Sequence, residues 1–288
     1  MRDFDEKNIT EAVVDRFQST PDPRLKTIMT SLVRHLHDFV RDVELTTDEW
    51  YVAIDFLTRT GQICSSTRQE FILLSDTLGV SMLVDAVNHR MPKGATETTV
   101  QGPFYVENPP EFPQGFDISR GLKGEALFVS GTASSAQGGA LPHAVVDVWQ
   151  SDTDGYYDVQ RTDLSEPTLR ARFRADAQGR FFFWSILPSA YPIPHDGPVG
   201  QMLVATGRHP WRPAHLHFMI SAPGHEKLIT HVFVQGDRYL DSDAVFGVKN
   251  SLIREYLREP PGVAPDGTKM ERPWRRLNYD FCLKSTAT

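Results

Sequence analysis

Two histidines separated by a single residue, His215 and His217, could bind one metal ion. They lie in 214–220, a run rich in strand-forming residues, and positions i and i+2 of a strand point to the same face of a sheet. His35 and His37 have the same spacing in a helical segment, where side chains two apart diverge by about 200°, so we do not expect that pair to chelate. Two such histidines on a strand are more often ordinary side chains than ligands, so a metal site needs further donors.

Tyrosines are the next candidates for donors. Tyr157 follows an Asp-Gly turn sequence, and Tyr191 stands next to a proline. Ferrous oxygenases typically combine two histidines with a carboxylate, and catalytic zinc sites add histidine, cysteine or glutamate. No carboxylate stands out in this sequence as such a partner. Each tyrosine is also compatible with a loop edge that buries the ring and hydrates the hydroxyl, so the residues alone leave both interpretations open.

Six segments in a fixed order favour the metal interpretation, because together they resemble the intradiol ring-cleavage dioxygenases. The resemblance covers about 96–252 and is carried by residues 146–150, 155–157, 176–180, 185–188, 207–209 and 212–217. It implies that one Fe(III) per subunit is held by two tyrosines and two histidines: Tyr157, Tyr191, His215 and His217. Phenolate is a hard anionic ligand that favours the ferric state, and metal binding lowers the pKa of a tyrosine from its ordinary value of about 10.

The same resemblance implies how the residues around the metal act. A catechol-type diol binds iron as a dianion, and the ring opens between its two hydroxyl-bearing carbons. Tyr191 leaves the metal and helps to accept a substrate proton. Arg212 matches the family arginine that stabilises negative charge on the substrate. His231 stands where catechol-cleaving relatives have a glutamine, and we expect it to hydrogen-bond to the anionic intermediate.

Four further segments resemble the hydroxyquinol-cleaving members of that family: 191–194, 209–212, 230–233 and 241–248. Hydroxyquinol is a catechol with a third hydroxyl, and its cleavage gives 3-hydroxy-cis,cis-muconate, a tautomer of maleylacetate. A site built to bind that hydroxyl needs a polar partner, for which we predict Asp76; a solvated helix aspartate is the alternative. The resemblance also assigns substrate contacts to Leu73, Gly102, Pro103, Ile193 and Arg212.

Three other functions remain open at this stage. The nearest is the same reaction on catechol or a chlorocatechol, giving cis,cis-muconates. A zinc hydrolase could combine the histidine pair with an acidic residue such as Asp147. A non-catalytic sandwich of the transthyretin type could bind a ligand or partner, with structural histidines and tyrosines. Metal analysis and the relative turnover of the three diols separate these functions.

The sequence that must position these residues changes character near residue 95. Before it, apolar residues recur at helical spacing, and two pairs, Thr46 with Glu49 and Thr67 with Glu70, have the spacing of a capping box. Gly79 marks a bend in the last helix. The predicted helices cover roughly 23–43, 48–60 and 68–91.

After residue 96, short β-branched and aromatic runs alternate with proline- and glycine-rich turns, as in a β-sandwich. The predicted strands are 126–131, 145–149, 180–184, 214–220 and 228–234. Val248, Leu252 and Tyr256 recur every four residues and predict one late helix near 243–257. The predicted fold class is α+β, with a helical domain over 1–95 and an all-β sandwich catalytic domain over 96–288.

Composition indicates which partners and which cellular compartment to expect. The formal charge of −7 argues against a nucleic-acid partner, because such proteins carry basic patches. No apolar run approaches the roughly 20 residues that span a bilayer, and the acidic, polar N-terminus is unlike a secretory signal. Cys64 and Cys282 are too far apart in sequence to suggest a disulfide framework. We therefore expect a cytoplasmic protein that is not membrane-integral.

The resemblance also concerns assembly. Catechol-type members of the family carry a helical dimerisation region before the sandwich, and they hold a phospholipid in the groove between their helical domains. A helical region that is apolar on more than one side could bury itself in a two-fold dimer. We therefore expect a homodimer through the helical domain, with a small aromatic diol and O2 as the other partners.

Overall fold

The computed structural model describes residues 2–65 and 68–286, and the chain divides into two compact units between Gln62 and Ile63. The first unit contains the helices α1 (Ile9–Arg16), α2 (Pro23–Asp42) and α3 (Thr47–Gln62). The predicted capping box at the start of α3 is confirmed. The backbone N–H of Thr46 donates to the Glu49 carboxylate at 2.9 Å, and the N–H of Glu49 donates to the Thr46 hydroxyl oxygen at 3.3 Å. Thr67, in the second predicted box, lies outside the described residues.

The apolar residues of α2 form a stripe along one face of this helix. Each side chain of the stripe is 45–53% exposed in the single chain: Leu25, Ile28, Leu32, Leu36 and Phe39. On the same helix His35 is exposed, whereas Nδ1 of His37 lies 3.0 Å from the Thr10 hydroxyl. The two imidazoles therefore face different surroundings, as helical spacing requires.

The second unit begins with two short helices, α4 (Glu70–Thr77) and α5 (Val80–Asn88). Gly79 separates them with a φ of +74°, so the predicted bend is a complete break. A later helix, α6 (Pro198–Ala205), was not predicted from the sequence. Its first turn is held by Glu70, whose carboxylate accepts the Val199 N–H at 3.2 Å. No helix within the described ranges has both the length and the apolar character needed to cross a membrane.

The rest of the second unit is β-structure. The strands are β1 (Ala126–Ser135), β2 (Val145–Gln150), β3 (Arg170–Arg174), β4 (Arg180–Ile186), β5 (Tyr191–Pro192), β6 (Trp211–Arg212), β7 (His215–Ser221), β8 (Leu228–Val234), β9 (Ile253–Arg254), β10 (Leu257–Glu259), β11 (Gly262–Val263), β12 (Lys269–Met270), β13 (Trp274–Asn278) and β14 (Phe281–Leu283). All five predicted strands are present, each within a few residues of its expected bounds. Strands β3, β5, β6 and β9–β14 were not predicted, because most are too short to show a periodic pattern.

Two five-stranded sheets face each other across one core. In the first sheet the order is β10-β13-β1-β14, and β4 also pairs with β1; in the second it is β3-β2-β7-β8-β9. Alternate residues of both sheets are buried in the same cluster, including Val129 of β1, Val148 of β2, Phe183 of β4 and Phe218 of β7. This shared core confirms the predicted sandwich and the α+β class.

The predicted helix near 243–257 is wrong. The segment is a loop that leads into a single 3₁₀ turn (Asn250–Leu252) and the short strands β9 and β10. The carboxylate of Asp243 accepts hydrogen bonds from the N–H groups of Val245 at 3.3 Å and Gly247 at 2.9 Å. Such side-chain bonds compete with helical ones, and Phe246 has a φ of +59°, which a right-handed helix excludes.

The helical sequence ends at Asn88, close to the proposed domain boundary between residues 95 and 96. The division into compact units comes earlier, after Gln62, because α4 and α5 group with the sandwich. The partition into 1–95 and 96–288 therefore remains a proposal. The change from helical to strand-like sequence supports a boundary near residue 95, whereas the compact units divide after Gln62.

Candidate metal and substrate site

Successive side chains of strand β7 point alternately into the core and toward the candidate site. Leu216 and Phe218 point into the sandwich core, whereas His215 and His217 point to the opposite face of the second sheet. His217 lies between two strands, opposite Trp149 of β2 and His231 of β8. A central strand thus places the predicted histidine pair on one face, beside a third histidine.

The two histidines of the pair are ready to act as ligands. Nδ1 of His215 lies 2.7 Å from the carbonyl oxygen of Pro213, which can only accept, so Nδ1 carries the proton and Nε2 offers its lone pair. The Nε2 atoms of His215 and His217 are 3.0 Å apart. Both rings are buried, and burial, aided by the nearby positive charge of Arg212, holds the pKa of each well below its ordinary value. Neutral imidazoles are the form that binds metals.

The two predicted tyrosines come from different elements, Tyr157 from a loop and Tyr191 from β5. The hydroxyl oxygen of Tyr157 lies 2.8 Å from Nε2 of His217, and the ring of Tyr191 packs edge-on against that of Tyr157 with centroids 5.1 Å apart. Gly155 lets these elements approach: its φ is +86°, and a Cβ there would lie 3.2 Å from Cβ of Tyr191. Burial, reinforced by Tyr191, raises the pKa of Tyr157 well above its ordinary value.

These four donors fit a hard, highly charged cation. Burial makes an isolated phenolate unfavourable at Tyr157, so a nearby positive charge is needed to stabilise it. The two imidazoles are neutral at neutral pH, so a metal ion does not have to displace a proton from their lone pairs. Nδ1 of His217 is buried with no hydrogen-bond partner in the described part of the chain, so packing rather than a second bond sets this ring.

His231 joins the group from β8. Candidate ligand nitrogens of His215, His217 and His231 all lie within 4.8 Å of one another. Nδ1 of His231 is 3.0 Å from the Thr99 hydroxyl and 3.4 Å from Nη2 of Arg212, whereas its Nε2 is buried without a partner among the described residues. Because the guanidinium only donates, a hydrogen bond from Arg212 to Nδ1 requires that Nδ1 accepts and that Nε2 carries the proton.

Arg212 connects the histidines with Tyr191. Strands β5 and β6 pair Tyr191 directly with Arg212, and Nη1 of Arg212 donates to the Tyr191 hydroxyl at 3.3 Å. The side chain is 2% exposed, and its guanidinium forms a salt bridge with Asp243, with Nε at 3.0 Å from Oδ1. Burial acts to lower the pKa of Arg212, but Asp243, Tyr191 and Tyr157 together outweigh it and raise the pKa, so the charge is permanent.

Aromatic rings hold the donors in place. Trp149 stacks on the His217 ring with centroids 4.6 Å apart and planes at 15°, and Phe104 stacks on Tyr157 at 4.4 Å and 22°. Gly102 leaves room for this packing, because a Cβ there would lie 3.3 Å from Cε1 of His217. Close-packed rings restrict the donors to one geometry without needing hydrogen bonds.

The predicted substrate residues have three kinds of surroundings. Leu73 and Ile193 are buried in the apolar cluster that contains Tyr157 and Tyr191. Asp76 is 6% exposed, and burial raises its pKa, while a Ser81 hydrogen bond and the charge of Arg212 act against that rise. The aspartate is thus buried near the arginine rather than solvated. Gly102 adjoins His217, and Pro103 is exposed next to it.

Asp147, the acidic partner of the zinc-hydrolase alternative, is committed to another residue. Its two carboxylate oxygens accept from Nε and Nη2 of Arg172 at 2.6 and 2.7 Å. The aspartate therefore serves a pair between β2 and β3, which removes the acidic residue that this alternative named.

Comparison with known proteins shows the family to which this chain belongs. Residues 100–285 match the family model described as Dioxygenase, and residues 22–96 match that described as Catechol dioxygenase N terminus. This chain belongs to the intradiol ring-cleavage dioxygenases. Because both models match in chain order, the non-catalytic sandwich alternative is abandoned.

This chain is 54% identical to the 6-chlorohydroxyquinol 1,2-dioxygenase of Cupriavidus pinatubonensis, over 99% of this chain and all of the relative. It superposes on the hydroxyquinol 1,2-dioxygenase of Pseudomonas putida DLL-E4 with a TM-score of 0.92 and 51% identity, covering 97% and 98% of the two chains. For the catechol 1,2-dioxygenase of Pseudomonas arvilla C-1 the TM-score is 0.82 and the identity 32%, covering 97% and 91%.

Several residues of the dioxygenase site were not found from the sequence. Phe104 and Trp149 stack on two of the predicted donors, Thr99 contacts His231, and Asp243 pairs with Arg212. Trp149 gave a usable signal, since it lies in the predicted strand 145–149, and the two-residue period places it on the face opposite Val146 and Val148. Thr99, Phe104 and Asp243 lie in loops, where no period indicates direction.

Proposed function

We propose that this dioxygenase cleaves hydroxyquinol (1,2,4-trihydroxybenzene) between its two adjacent hydroxyl-bearing carbons. Both atoms of O2 enter the product, 3-hydroxy-cis,cis-muconate, a tautomer of maleylacetate. The observation that carries the reaction type is that two tyrosines and two neutral histidines meet in one buried site: the Tyr157 hydroxyl contacts Nε2 of His217, this atom contacts Nε2 of His215, and the Tyr191 ring packs on Tyr157. Two relatives that share 54% and 51% identity with this chain are both named for hydroxyquinol-type substrates, which supports the choice of diol.

We propose one Fe(III) per subunit as the cofactor, held by Tyr157, Tyr191, His215 and His217. When bound, the ferric ion accepts electron density from the chelated diol and so makes a ring carbon reactive toward O2. The protein's contribution is to hold the donors and to exclude water from them. All four donor side chains are no more than 2% exposed, which meets the second requirement.

Tyr191 is the proposed proton acceptor. Tyr191 is one of the two proposed tyrosine ligands of the metal, and its hydroxyl oxygen accepts a hydrogen bond from Nη1 of Arg212 at 3.3 Å. That bond stabilises the hydroxyl oxygen when its proton is absent. Arg212 thereby lowers the free energy of a released Tyr191 phenolate, and its fixed positive charge also stabilises a dianionic diol.

His231 is the proposed donor to the anionic intermediate. With Nδ1 facing Arg212 and Thr99, its unpartnered Nε2–H is the group left to donate. A buried donor without a partner costs free energy in the resting protein, and a bound anion would relieve that cost. Its place beside His215 and His217 would put that anion near the metal.

We propose that Asp76 accepts a hydrogen bond from the third hydroxyl of hydroxyquinol. Replacing Asp76 with alanine is expected to lower the preference for hydroxyquinol over catechol, measured as the ratio of kcat/KM values, by about tenfold or more, since one hydrogen bond to a charged group contributes about 1.5–3 kcal/mol. The exposed helix aspartate Asp48 is the matched control, and its alanine variant should keep the wild-type ratio. A wild-type ratio in the Asp76→Ala variant would remove the residue from the substrate site.

The visible spectrum of the purified protein tests the proposal as a whole. We expect a broad tyrosinate-to-iron absorption band with about one iron per chain, which moves to longer wavelength when hydroxyquinol is added without O2. Iron reconstitution should precede any negative conclusion, because the metal can be lost during purification. A protein that stays colourless after reconstitution would exclude the four-donor site and the proposed reaction with it.

The second candidate substrate is catechol or a chlorocatechol. It is favoured by the shared fold with a catechol 1,2-dioxygenase and by the chlorinated substrate in the name of one relative. The ratio of kcat/KM values for hydroxyquinol, catechol and 4-chlorocatechol separates these substrates. A hydroxyquinol enzyme should turn over the other two diols at least about tenfold less efficiently, because they leave a buried polar group unpaired.

We further propose a cytoplasmic homodimer that buries the exposed stripe of α2. Five large apolar side chains that are half exposed on one helix are unusual for a monomer, and a two-fold interface or a bound lipid chain would cover them. The net charge of −7 accords with small-molecule rather than nucleic-acid partners.

A further inference from the structure

The buried salt bridge between Asp243 and Arg212 uses one edge of the guanidinium. Nε donates to Oδ1 of Asp243 at 3.0 Å, and Nη2 donates to Oδ2 at 3.3 Å. Both side chains are 2% exposed. Because the guanidinium is planar and its donors are fixed in direction, fixing one edge also fixes where the remaining N–H groups point.

The opposite side of the guanidinium faces the reacting groups. Nη1 donates to the Tyr191 hydroxyl at 3.3 Å, and Nη2 is shared with Nδ1 of His231 at 3.4 Å. Among the described residues, the hydrogen-bond partners of the Asp243 carboxylate are Arg212 and the backbone of its own loop, and none of them is a donor of the metal site. The carboxylate is therefore connected by hydrogen bonds to Tyr191 and His231 through the arginine.

The loop of Asp243 is built as a rigid support for this pair. The carboxylate also accepts the N–H groups of Val245 and Gly247, and the N–H of Ala244 donates to the carbonyl of Trp211 at 3.1 Å. Gly247 packs directly on the guanidinium, since a Cβ there would lie 2.9 Å from Nη2 of Arg212. Any larger residue at this position would displace the arginine.

We propose that Asp243 is a positioning residue of the dioxygenase, which fixes Arg212 so that its free N–H groups point at Tyr191 and His231. This inference rests on the proposed function, because it assigns Asp243 to the same proton transfer. Without the carboxylate, Nη2 would turn toward His231 and Nη1 would leave the Tyr191 hydroxyl. Misplacement of a catalytic group by about 1 Å can lower the rate by about 100-fold.

The test is a double-mutant cycle on the iron-loaded protein with hydroxyquinol as substrate. Asp243→Asn should lower kcat by about 100-fold with little change in KM, while the iron content and the resting tyrosinate band stay as in wild type. In an Arg212→Met background the same substitution should change kcat by less than about threefold, because its effect passes through the arginine. Asp241→Asn, at an exposed position two residues away, is the matched control and should behave as wild type.

Independent effects in the cycle, or an Asp243→Asn variant that matches the Asp241→Asn control, would overturn the inference. If Asp243→Asn does not fold, Arg212→Met should be compared with Arg212→Met/Asp243→Leu, which leaves no unpaired buried charge. Equal kcat values for those two variants support the positioning role, and a further loss in the double variant overturns it. Wild-type protein that forms no ring-opened product would instead reject the proposed function, so the two failures are distinguishable.

Discussion

Replacement of His217 by alanine is expected to abolish stable iron binding and the ring-opening activity that depends on it. His217 is the centre of the donor group, with its Nε2 at 3.0 Å from Nε2 of His215 and 2.8 Å from the Tyr157 hydroxyl. Loss of a partner that only orients a metal ligand already lowers metal affinity about 10–100-fold, so loss of a ligand should exceed that range. Iron content after dialysis and absorbance of the tyrosinate band measure the effect.

The control for this variant is His35→Ala, which removes an exposed histidine from the helical His-x-His pair. It should retain about one iron per chain and full colour. The four-donor site would be wrong if His217→Ala kept both properties. His231→Ala distinguishes two donor sets: it should keep the iron if two tyrosines and two histidines hold it, and lose the iron if the three clustered histidines do.

Replacement of Tyr191 by phenylalanine is expected to lower kcat by about 10²–10⁴-fold, the usual contribution of a positioned proton acceptor. The variant should also show a weaker and shifted tyrosinate band, because one of two phenolates is gone. Three donors remain, so iron should still bind, although less tightly. Steady-state turnover of hydroxyquinol, corrected for iron content, separates the loss of proton transfer from the loss of metal.

Tyr156→Phe is the matched control, since Tyr156 is half exposed and adjoins the donor Tyr157. It should leave both the spectrum and turnover unchanged. If Tyr191→Phe turned over hydroxyquinol at the wild-type rate per iron, the proposed role in proton transfer would have to be given up. An unchanged band in that variant would remove Tyr191 from the metal as well.

The sequence by itself determined features that depend on a local period. Alternation along β7 places His215 and His217 on one face of the sheet because the pleat fixes side-chain direction every two residues. The reciprocal bonds of Thr46 and Glu49 follow from their spacing in the same way. The order of short motifs carried the family resemblance, which both family models confirm. The same reasoning failed at 243–257, where Asp243 bonds to its own loop and overrides a helical spacing.

Only the tertiary structure decided which distant residues meet. Asp243 and Arg212 are 31 positions apart, and nothing local to either sequence indicates that they pair. Phe104 reaches Tyr157 from a loop, and β13 and β14 run parallel to β1 from the far end of the chain. Covalent geometry fixes the direction of a side chain within one strand or helix. Contacts between elements depend instead on how all apolar faces pack together, which no short stretch of sequence contains.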